Sequence, residues 1–444
     1  MTSTMTVQDH PQGWRVVGGT FLVLFGGWSA IYAYAALAPA MAASLGVTDA
    51  TLCLVYAVAG GGCFFIGAIA GRLADRIGAR LPALAGIALI VTGLLLAAES
   101  HSLAMMTLTY GLMVGTGVGL AYIPAMAAVQ CCFTARRGLA SGIAAMGIGV
   151  ATLLVPVVAT LFAPLGDWRV QMRVLAVMVL VLGLAGAPLL PGSTVHGLST
   201  EGPQLEAVRR SPAFLRLYVA VLLVSIPVSL PFAWLPRSAT LAGLSQEKAL
   251  ALLSAVGIGS ICGRVLLSHV ADRIGRGATL LLSCTGISLA MLVWACAGNG
   301  ALIPFALVFG FFQGAFVALS PAVAVDLFGR RSAAGTSGLL LTGRGLAVLV
   351  VIPGVVQASA LWGQALAITL AGLCGLMGCA ILHGALARAG VGTGQFRLVG
   401  RHGGDDAGCV ARTWRGAMDF AAIKPVPRAA RGHDVTVTTG GTPG

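Results

Sequence analysis

Long apolar segments follow one another along most of this 444-residue chain, and they constrain its fold more than any other feature. A helix needs about 20 apolar residues to cross the roughly 30 Å hydrocarbon core of a bilayer. The chain is 57% hydrophobic and 9% charged, a composition that a water-soluble domain of this length cannot place on its surface. Nothing alternates like the strands of a barrel, so the sequence predicts an all-α membrane protein.

We predict twelve transmembrane helices in two sets of six. The first set covers residues 16–40, 52–70, 81–98, 103–129, 138–162 and 174–190, and the second covers 214–235, 249–267, 278–297, 302–327, 335–356 and 364–386. The first span is longer than the apolar part of a removable signal peptide, about 7 to 15 residues, so we expect it in the mature protein.

Composition shifts divide the chain further. We expect a cytoplasmic N-terminus over residues 1–15, a six-helix bundle over 16–190, a polar, Pro- and Gly-containing linker over 191–212, and a second bundle over 213–387. Residues 388–444 are rich in Gly, Arg, Asp and Thr without apolar periodicity, which predicts a disordered cytoplasmic tail.

Cations concentrate in alternate interhelical loops. The arginines of these loops are Arg72, Arg76, Arg80, Arg136, Arg137, Arg209, Arg210, Arg273, Arg276, Arg330 and Arg331. The positive-inside rule then places these loops and both termini in the cytoplasm, in a multi-pass protein of the plasma (cytoplasmic or inner) membrane. The same distribution accounts for the +13 net charge without a basic face for nucleic acid.

One loop sequence occurs twice. Ala-Asp-Arg-Ile-Gly follows the second span as part of Gly71–Arg80 and follows the eighth span around Asp272. The copies are separated by 197 residues (272 − 75), which indicates a duplication of six helices.

The motif Gly-x-Leu-Ala-Asp-Arg-x-Gly between the second and third helices, echoed six helices later, resembles the signature loop of the major facilitator superfamily. The resemblance covers residues 14–386 and implies two six-helix bundles with a solute site near the midplane between them. It also implies that Asp75 and Asp272 hold arginines and helix ends of neighbouring spans and so close the cytoplasmic side. We assign this conformational gating to Gly71, Asp75, Arg76, Gly78, Asp272, Arg273 and Asp326. The alternative is that these loops only set topology.

Further segments are similar to the monocarboxylate porters and the oxalate–formate exchangers. They include Tyr122-Ile-Pro-Ala in the fourth span, Gly263-Arg264 in the eighth and Thr342-Gly-Arg344-Gly in the eleventh. Two positions depart from that pattern. Ser260 stands where proton-coupled carriers keep an aspartate, and Tyr32 stands where they keep a lysine, so proton coupling by that route is in doubt.

Two arginines lie within predicted spans, and a buried arginine costs about 2.5 to 3.5 kcal/mol on insertion scales. Arg264 and Arg344 have no acid on their own spans. Asp326 is the carboxylate near enough to pair with one of them or with the Arg330-Arg331 loop. One cation is then left for an anionic solute, since guanidinium binds carboxylate in a two-pronged geometry. Alternatively, both arginines bind helix-end carbonyls or Asp326 and never meet solute.

Aromatic side chains complete the candidate site. Tyr32, Tyr34 and Tyr122 either line the cavity or serve as packing. Trp28, Trp234 and Trp362 fall toward the predicted outer ends of their spans, where tryptophan prefers the membrane interface. We assign substrate binding to Arg264, Arg344, Tyr32 and Tyr122.

The sequence favours a secondary active transporter that moves a small organic anion, a mono- or dicarboxylate, by alternating access. There is no ATPase motif, cofactor motif or metal-ligand spacing, and no enzyme activity is expected. The predicted spans contain few acids that could carry a proton, so exchange or uniport is slightly favoured. The first alternative is a drug or metabolite efflux carrier of the same fold, although the arginine and Gly-Pro motif typical of proton-antiporting exporters are missing. The second is a membrane enzyme or sensor. By family analogy we expect a monomer.

Overall fold

A computed structural model of the chain describes residues 12–133, 136–162, 167–192, 208–296, 301–328 and 333–388. Most of the predicted linker and almost all of the predicted tail lie outside these residues. The first six helices are α1 (Gly13–Leu45), α2 (Asp49–Phe65 and Gly67–Ile77), α3 (Arg80–Ala98), α4 (Leu103–Cys132), α5 (Arg137–Phe162) and α6 (Trp168–Gly186). The second six are α7 (Pro212–Leu241), α8 (Gln246–Ile274), α9 (Arg276–Cys296), α10 (Leu302–Phe328), α11 (Ala333–Trp362) and α12 (Gln364–Arg388).

All twelve predicted spans correspond to helices that are long and apolar enough to cross a membrane. Several helices run further than predicted, because a helix continues past the hydrocarbon wherever its backbone hydrogen bonds can still form. The extension of α2 to Ile77 has one consequence for the repeated motif. Gly71, Asp75 and Arg76 lie on the last turns of a helix, not in a loop as we predicted. Asp272 and Arg273 occupy the equivalent turns of α8.

The final glycine of each motif copy ends its helix. Gly78 has φ 84° and Gly275 has φ 108°, values that side chains with a Cβ rarely adopt. Each glycine donates its N–H to the carbonyl four residues earlier, from Gly78 to Ala74 and from Gly275 to Ala271. The glycine of Ala-Asp-Arg-Ile-Gly is therefore required by the sharp stop before the next helix.

The duplication is also visible in packing. In the first half, the backbones of α4 and α2 lie in direct contact. A Cβ added to Gly115 or Gly119 of α4 would overlap the carbonyl oxygen of Ala59 or Cys63, respectively, in α2. Small residues at such a crossing allow close approach of two membrane helices.

The second half repeats the contact between α10 and α8. A Cβ added to Gly310 or Gly314 would overlap the carbonyl oxygens of Val256 and Ser260. The α8 positions are displaced by 197 residues from their α2 counterparts (256 − 59 and 260 − 63), the same offset as the motif copies. The two halves therefore share one internal architecture.

The bundles α1–α6 and α7–α12 meet along two helix pairs. Helix α2 packs against α11, and α5 packs against α8. Close approach along α5 and α8 extends from Gly138 beside Asp272 to Leu153, whose carbonyl accepts a 3.0 Å hydrogen bond from the Ser254 hydroxyl. We call the end of the molecule that carries Asp75 and Asp272 the signature end. At this end the bundles are tightly joined.

The opposite end carries exposed charges. Arg173 of α6 and Glu99, which follows α3, form an ion pair of 2.5 Å. The hydrogen bond from the Arg173 guanidinium holds the pKa of the Glu99 carboxyl below its usual range. Both side chains are about half exposed, so solvent screens the pair. Substitution of either residue therefore serves as a control for substitutions of buried charged residues.

The glycine contacts generate a stability prediction. A Cβ at Gly263 of α8 would overlap the backbone carbonyl of Phe311 in α10, whereas a Cβ at Gly384 of α12 would have no neighbour within 4 Å. We expect Gly263→Ala to destabilise the protein by about 1–3 kcal/mol through overpacking, and Gly384→Ala to leave it unchanged or slightly more stable. The midpoint of thermal unfolding in detergent measures the stability of both variants. Equal midpoints for the two variants would contradict the close α8–α10 packing.

Candidate functional site

The four residues that the sequence assigned to substrate binding come together between the two bundles. Arg264 lies on α8, Arg344 on α11, Tyr32 on α1 and Tyr122 on α4, and each is at least 94% buried. Arg264 is within electrostatic range of the other three. Four separate helices thus contribute to one cluster.

The Arg264 guanidinium is completely buried and incompletely bonded. Its Nη1 donates to the Ser260 hydroxyl one turn earlier, and Ser260 donates in turn to the Gln313 side-chain oxygen at 3.0 Å. The Nε and Nη2 atoms of Arg264 have no hydrogen-bond partner. Ser260 therefore orients the guanidinium but does not neutralise its charge, as an aspartate at this position would.

Arg344 contacts aromatic rings. Its guanidinium carbon lies 4.8 Å from the ring centre of Phe64 on α2 and 5.9 Å from that of Phe316 on α10. Its Nε has no hydrogen-bond partner. Attraction to ring faces offsets part of the cost of burying this cation, by about 0.5–2 kcal/mol for each contact. The contact with Phe64 also links the second bundle to the first.

Asp326 does not pair with either of these arginines. Its carboxylate lies 2.6 Å from Arg137 of α5 and 3.0 Å from Arg276 of α9. Asp326 is two residues before the end of α10 at the signature end, where Arg137 and Arg276 are its ion-pair partners. The Arg330-Arg331 alternative falls outside the described residues. Within those residues, both midplane guanidinium groups lack a carboxylate partner.

A central cavity opens beside Arg344. Side chains of α1, α2, α7 and α11 line it, and they include Trp28, Tyr32, Phe64, Ser229, Phe232 and Arg344. Its volume of about 20 Å³ is room for about one water molecule. The rings of Tyr32 and Phe232 stack across it with centroids 5.0 Å apart. An organic solute can enter only after the helices move apart.

The tryptophan prediction was wrong for Trp28. This residue lies at the middle of the 33-residue helix α1, and it is also the central residue of the predicted span 16–40. Its indole is 7% exposed and packs edge-on against Tyr122. The sequence therefore missed Trp28 as a cavity residue, although its position one helical turn before Tyr32 places both on one helix face.

The remaining tyrosines divide between the two predicted roles. Tyr122 lines a smaller cavity of about 10 Å³ on the signature side, together with Gln130 of the same helix. Tyr34 instead packs against Tyr56 and Tyr110, with ring centroids at 5.0 Å and 6.4 Å. Tyr110 donates its buried hydroxyl to the carbonyl of Ala30, which fixes α1 next to the cavity.

The motif aspartates bind helix N-termini across the bundle interface. The Asp75 carboxylate accepts from the Gly335 N–H at the start of α11, at 3.1 Å. The Asp272 carboxylate accepts from Gly138 and Leu139 N–H groups at the start of α5, at 3.0 Å and 2.9 Å. Carboxylates are stabilised at helix N-termini by unpaired N–H groups and the helix dipole. Each aspartate therefore joins its own bundle to the other.

Arginines extend the contact at Asp272. Arg276 bonds Asp272 at 2.9 Å and also Asp326, and Asp326 binds Arg137 of the first bundle. Arg276 and Arg137 were assigned only to topology by the sequence. Arg273 and Arg76 are exposed, while Gly71 is buried in α2. No group of three or more metal-ligating side chains occurs in the part of the chain that the structure describes.

Comparison with known proteins gives three kinds of match. The family model described as "Major Facilitator Superfamily" matches residues 17–352. Monocarboxylate transporter 13 of Rattus norvegicus is 30% identical over 64% of this chain and 65% of its own length. The fujikurins efflux protein of Gibberella fujikuroi is 30% identical over 60% of this chain and 58% of its own length. The chain thus spans somewhat less than two thirds of these relatives.

A solved structure of the proton:xylose symporter XylE superposes with a TM-score of 0.70 over 84% of this chain and 95% of that one. Its sequence is 16% identical, which establishes the fold alone. Together with the family match over most of the chain, the twelve helices and the interbundle cavity identify the protein's class. The chain belongs to the major facilitator superfamily, a family of membrane transporters rather than enzymes.

Proposed function

We propose that the chain is a secondary carrier of a small organic anion, a mono- or dicarboxylate, that works by alternating access. The observation that carries the proposal is the pair of buried guanidinium groups, Arg264 and Arg344, that have unpartnered nitrogen atoms and no carboxylate contact. A cation deep in a membrane protein is retained where it has a partner or a function. An anionic solute supplies the missing charge.

The neighbouring side chains fit such a solute. Tyr32 and Tyr122 offer hydroxyl groups near the guanidinium groups, while Phe64, Phe232 and Val348 form apolar walls. The similarity to monocarboxylate transporter 13 supports a carboxylate. The similarity to the fujikurins efflux protein supports the second candidate, export of a metabolite. Wild-type protein that moves no carboxylate in proteoliposomes would favour that second candidate.

The signature end carries the proposed gate. Asp75, Asp272 and Asp326 hold the bundles together there, and rocking of the bundles breaks these contacts and opens the cavity to that side. We propose that this side is cytoplasmic and that the protein acts as a monomer in the plasma or inner membrane. The arginine-rich loops at this end support the orientation.

The anion site is tested by radiolabelled carboxylate uptake into proteoliposomes. We expect Arg264→Gln and Arg344→Gln each to lower uptake at least about tenfold, which is a loss of about 1.4 kcal/mol. Arg344→Lys keeps the charge but loses the two-pronged geometry, so it retains intermediate uptake. Arg173→Gln, which removes an exposed arginine at the opposite end, is the matched control and transports normally. Normal uptake by both glutamine variants would refute the anion site.

The coupling mode gives a second prediction. Within the described residues, no carboxylate or histidine lines the central cavity, so no such group is available there to carry a proton. We expect an imposed proton gradient to leave carboxylate accumulation unchanged, and internal carboxylate to accelerate uptake by exchange. Accumulation that follows the proton gradient without internal solute would show that another group carries protons.

The gate gives a third prediction. Asp272→Asn removes the charge from hydrogen bonds to α5, each worth about 1.5–3 kcal/mol, and so favours opening of the signature end. The reporter is the substitution Met126→Cys in a protein without other cysteines. We expect maleimide added from the signature side to label this cysteine roughly tenfold faster in the Asp272→Asn variant than with Asp272 intact. Met126 is buried beside Tyr122 in the closed signature half. Glu99→Gln, at the opposite end, should leave labelling unchanged. Equal labelling rates in the parent protein, the Asp272→Asn variant and the Glu99→Gln variant would contradict a gating role for Asp272.

A further inference from the structure

The central cavity contains unpartnered polar groups besides the arginine. The Trp28 Nε1–H and the Ser229 hydroxyl are both without a hydrogen-bond partner, and their side chains are 7% and 6% exposed. Both residues line the cavity that Arg344 also lines. Buried donors without partners are rare, because each has lost its hydrogen bonds to water. Two of them in one cavity indicate a ligand that accepts hydrogen bonds.

The Trp28 indole is held in place by its neighbours. Its ring lies 5.5 Å from Tyr32, 5.8 Å from Tyr122 and 6.2 Å from Phe64, measured between centroids. Three aromatic contacts restrict rotation of the side chain, so the N–H has a fixed place in the cavity wall. A preorganised donor of this kind suits recognition.

Ser229 differs from a serine one turn earlier on the same helix. Ser225 donates to the carbonyl of Val221 at 2.6 Å, the usual bond of a serine inside a membrane helix. Ser229 makes no such bond with the carbonyl four residues before it. Its hydroxyl therefore remains available to a molecule in the cavity.

The two bundles contribute unequal charge to the site. Arg264 and Arg344 both belong to the second bundle, while Trp28 belongs to α1 of the first. A ligand shifts a conformational equilibrium only through contacts that differ between the states. A solute that couples the two bundles must also be bound by the first bundle, and the Trp28 N–H is an unpartnered donor on that side.

We propose that Trp28 and Ser229 bind a second hydrogen-bond-accepting group of the carried anion. The site then selects small carboxylates that carry a further hydroxyl, carbonyl or carboxylate group over plain alkyl carboxylates. This inference rests on the proposed function, because it takes the first acceptor to be a carboxylate at the arginines.

The test compares three four-carbon solutes in proteoliposomes: butyrate, 3-hydroxybutyrate and succinate. Wild-type protein should prefer the last two. Trp28→Phe keeps the aromatic packing and removes only the N–H, so we expect KM for 3-hydroxybutyrate and succinate to rise about tenfold with butyrate unchanged. Trp168→Phe and Trp234→Phe are matched controls, because their buried indole N–H groups are also unpartnered but do not line the cavity. Both controls should keep the wild-type preference.

Ser229→Ala is the second variant and should reduce the same preference without lowering the thermal unfolding midpoint. A solute-dependent change in tryptophan fluorescence should disappear in Trp28→Phe and persist in both controls.

If Trp28→Phe and Ser229→Ala both leave the three KM values in their wild-type ratio, the inference is overturned. The proposed function survives that result provided that Arg344→Gln still lowers uptake at least about tenfold. Wild-type protein that carries none of these solutes would instead overturn the proposed function.

Discussion

Hydrocarbon does not solvate charge, and the placement of nearly every ionised side chain in the described helices follows from that constraint. The acids Asp75, Asp272 and Asp326 lie at one end of the bundle, where helix N-termini and arginines satisfy them. Arg264 and Arg344 depart from this arrangement, since each is buried near the midplane with nitrogen atoms that nothing bonds. The first group of charges holds the bundles together, and we propose that the second binds the solute.

Backbone contact at glycine explains why each half can move as a unit. The α2–α4 and α8–α10 crossings bring main chains together so closely that a single methyl group would overlap a carbonyl oxygen. Such crossings deform little, because packed interiors resist compression. We propose that motion is concentrated where the halves meet, along α2–α11 and α5–α8, and that the ionic contacts at the signature end control it.

The cavity is chemically unequal on its two sides. The second bundle supplies the Arg344 guanidinium group and the Phe232 ring, whereas the first supplies the aromatic rings of Trp28, Tyr32 and Phe64. Phe64 meets Arg344 across the interface, so the cation is attracted to the first bundle even when the cavity is empty. An anion at Arg344 adds direct charge pairing and changes the balance between the two bundles. This asymmetry gives the solute a physical means of favouring one conformation.

The sequence alone determined the twelve helices, the duplication and the choice of Arg264 and Arg344 as candidates, because span length, a repeated motif and costly intramembrane charge are all local signals. It did not determine the partners of those charges. Asp326 binds Arg137 and Arg276, residues distant in sequence, and Trp28 lies in the cavity because α1 meets α2, α7 and α11 there. Ion pairs and cavity walls are formed between helices, so only tertiary packing decides which side chains meet.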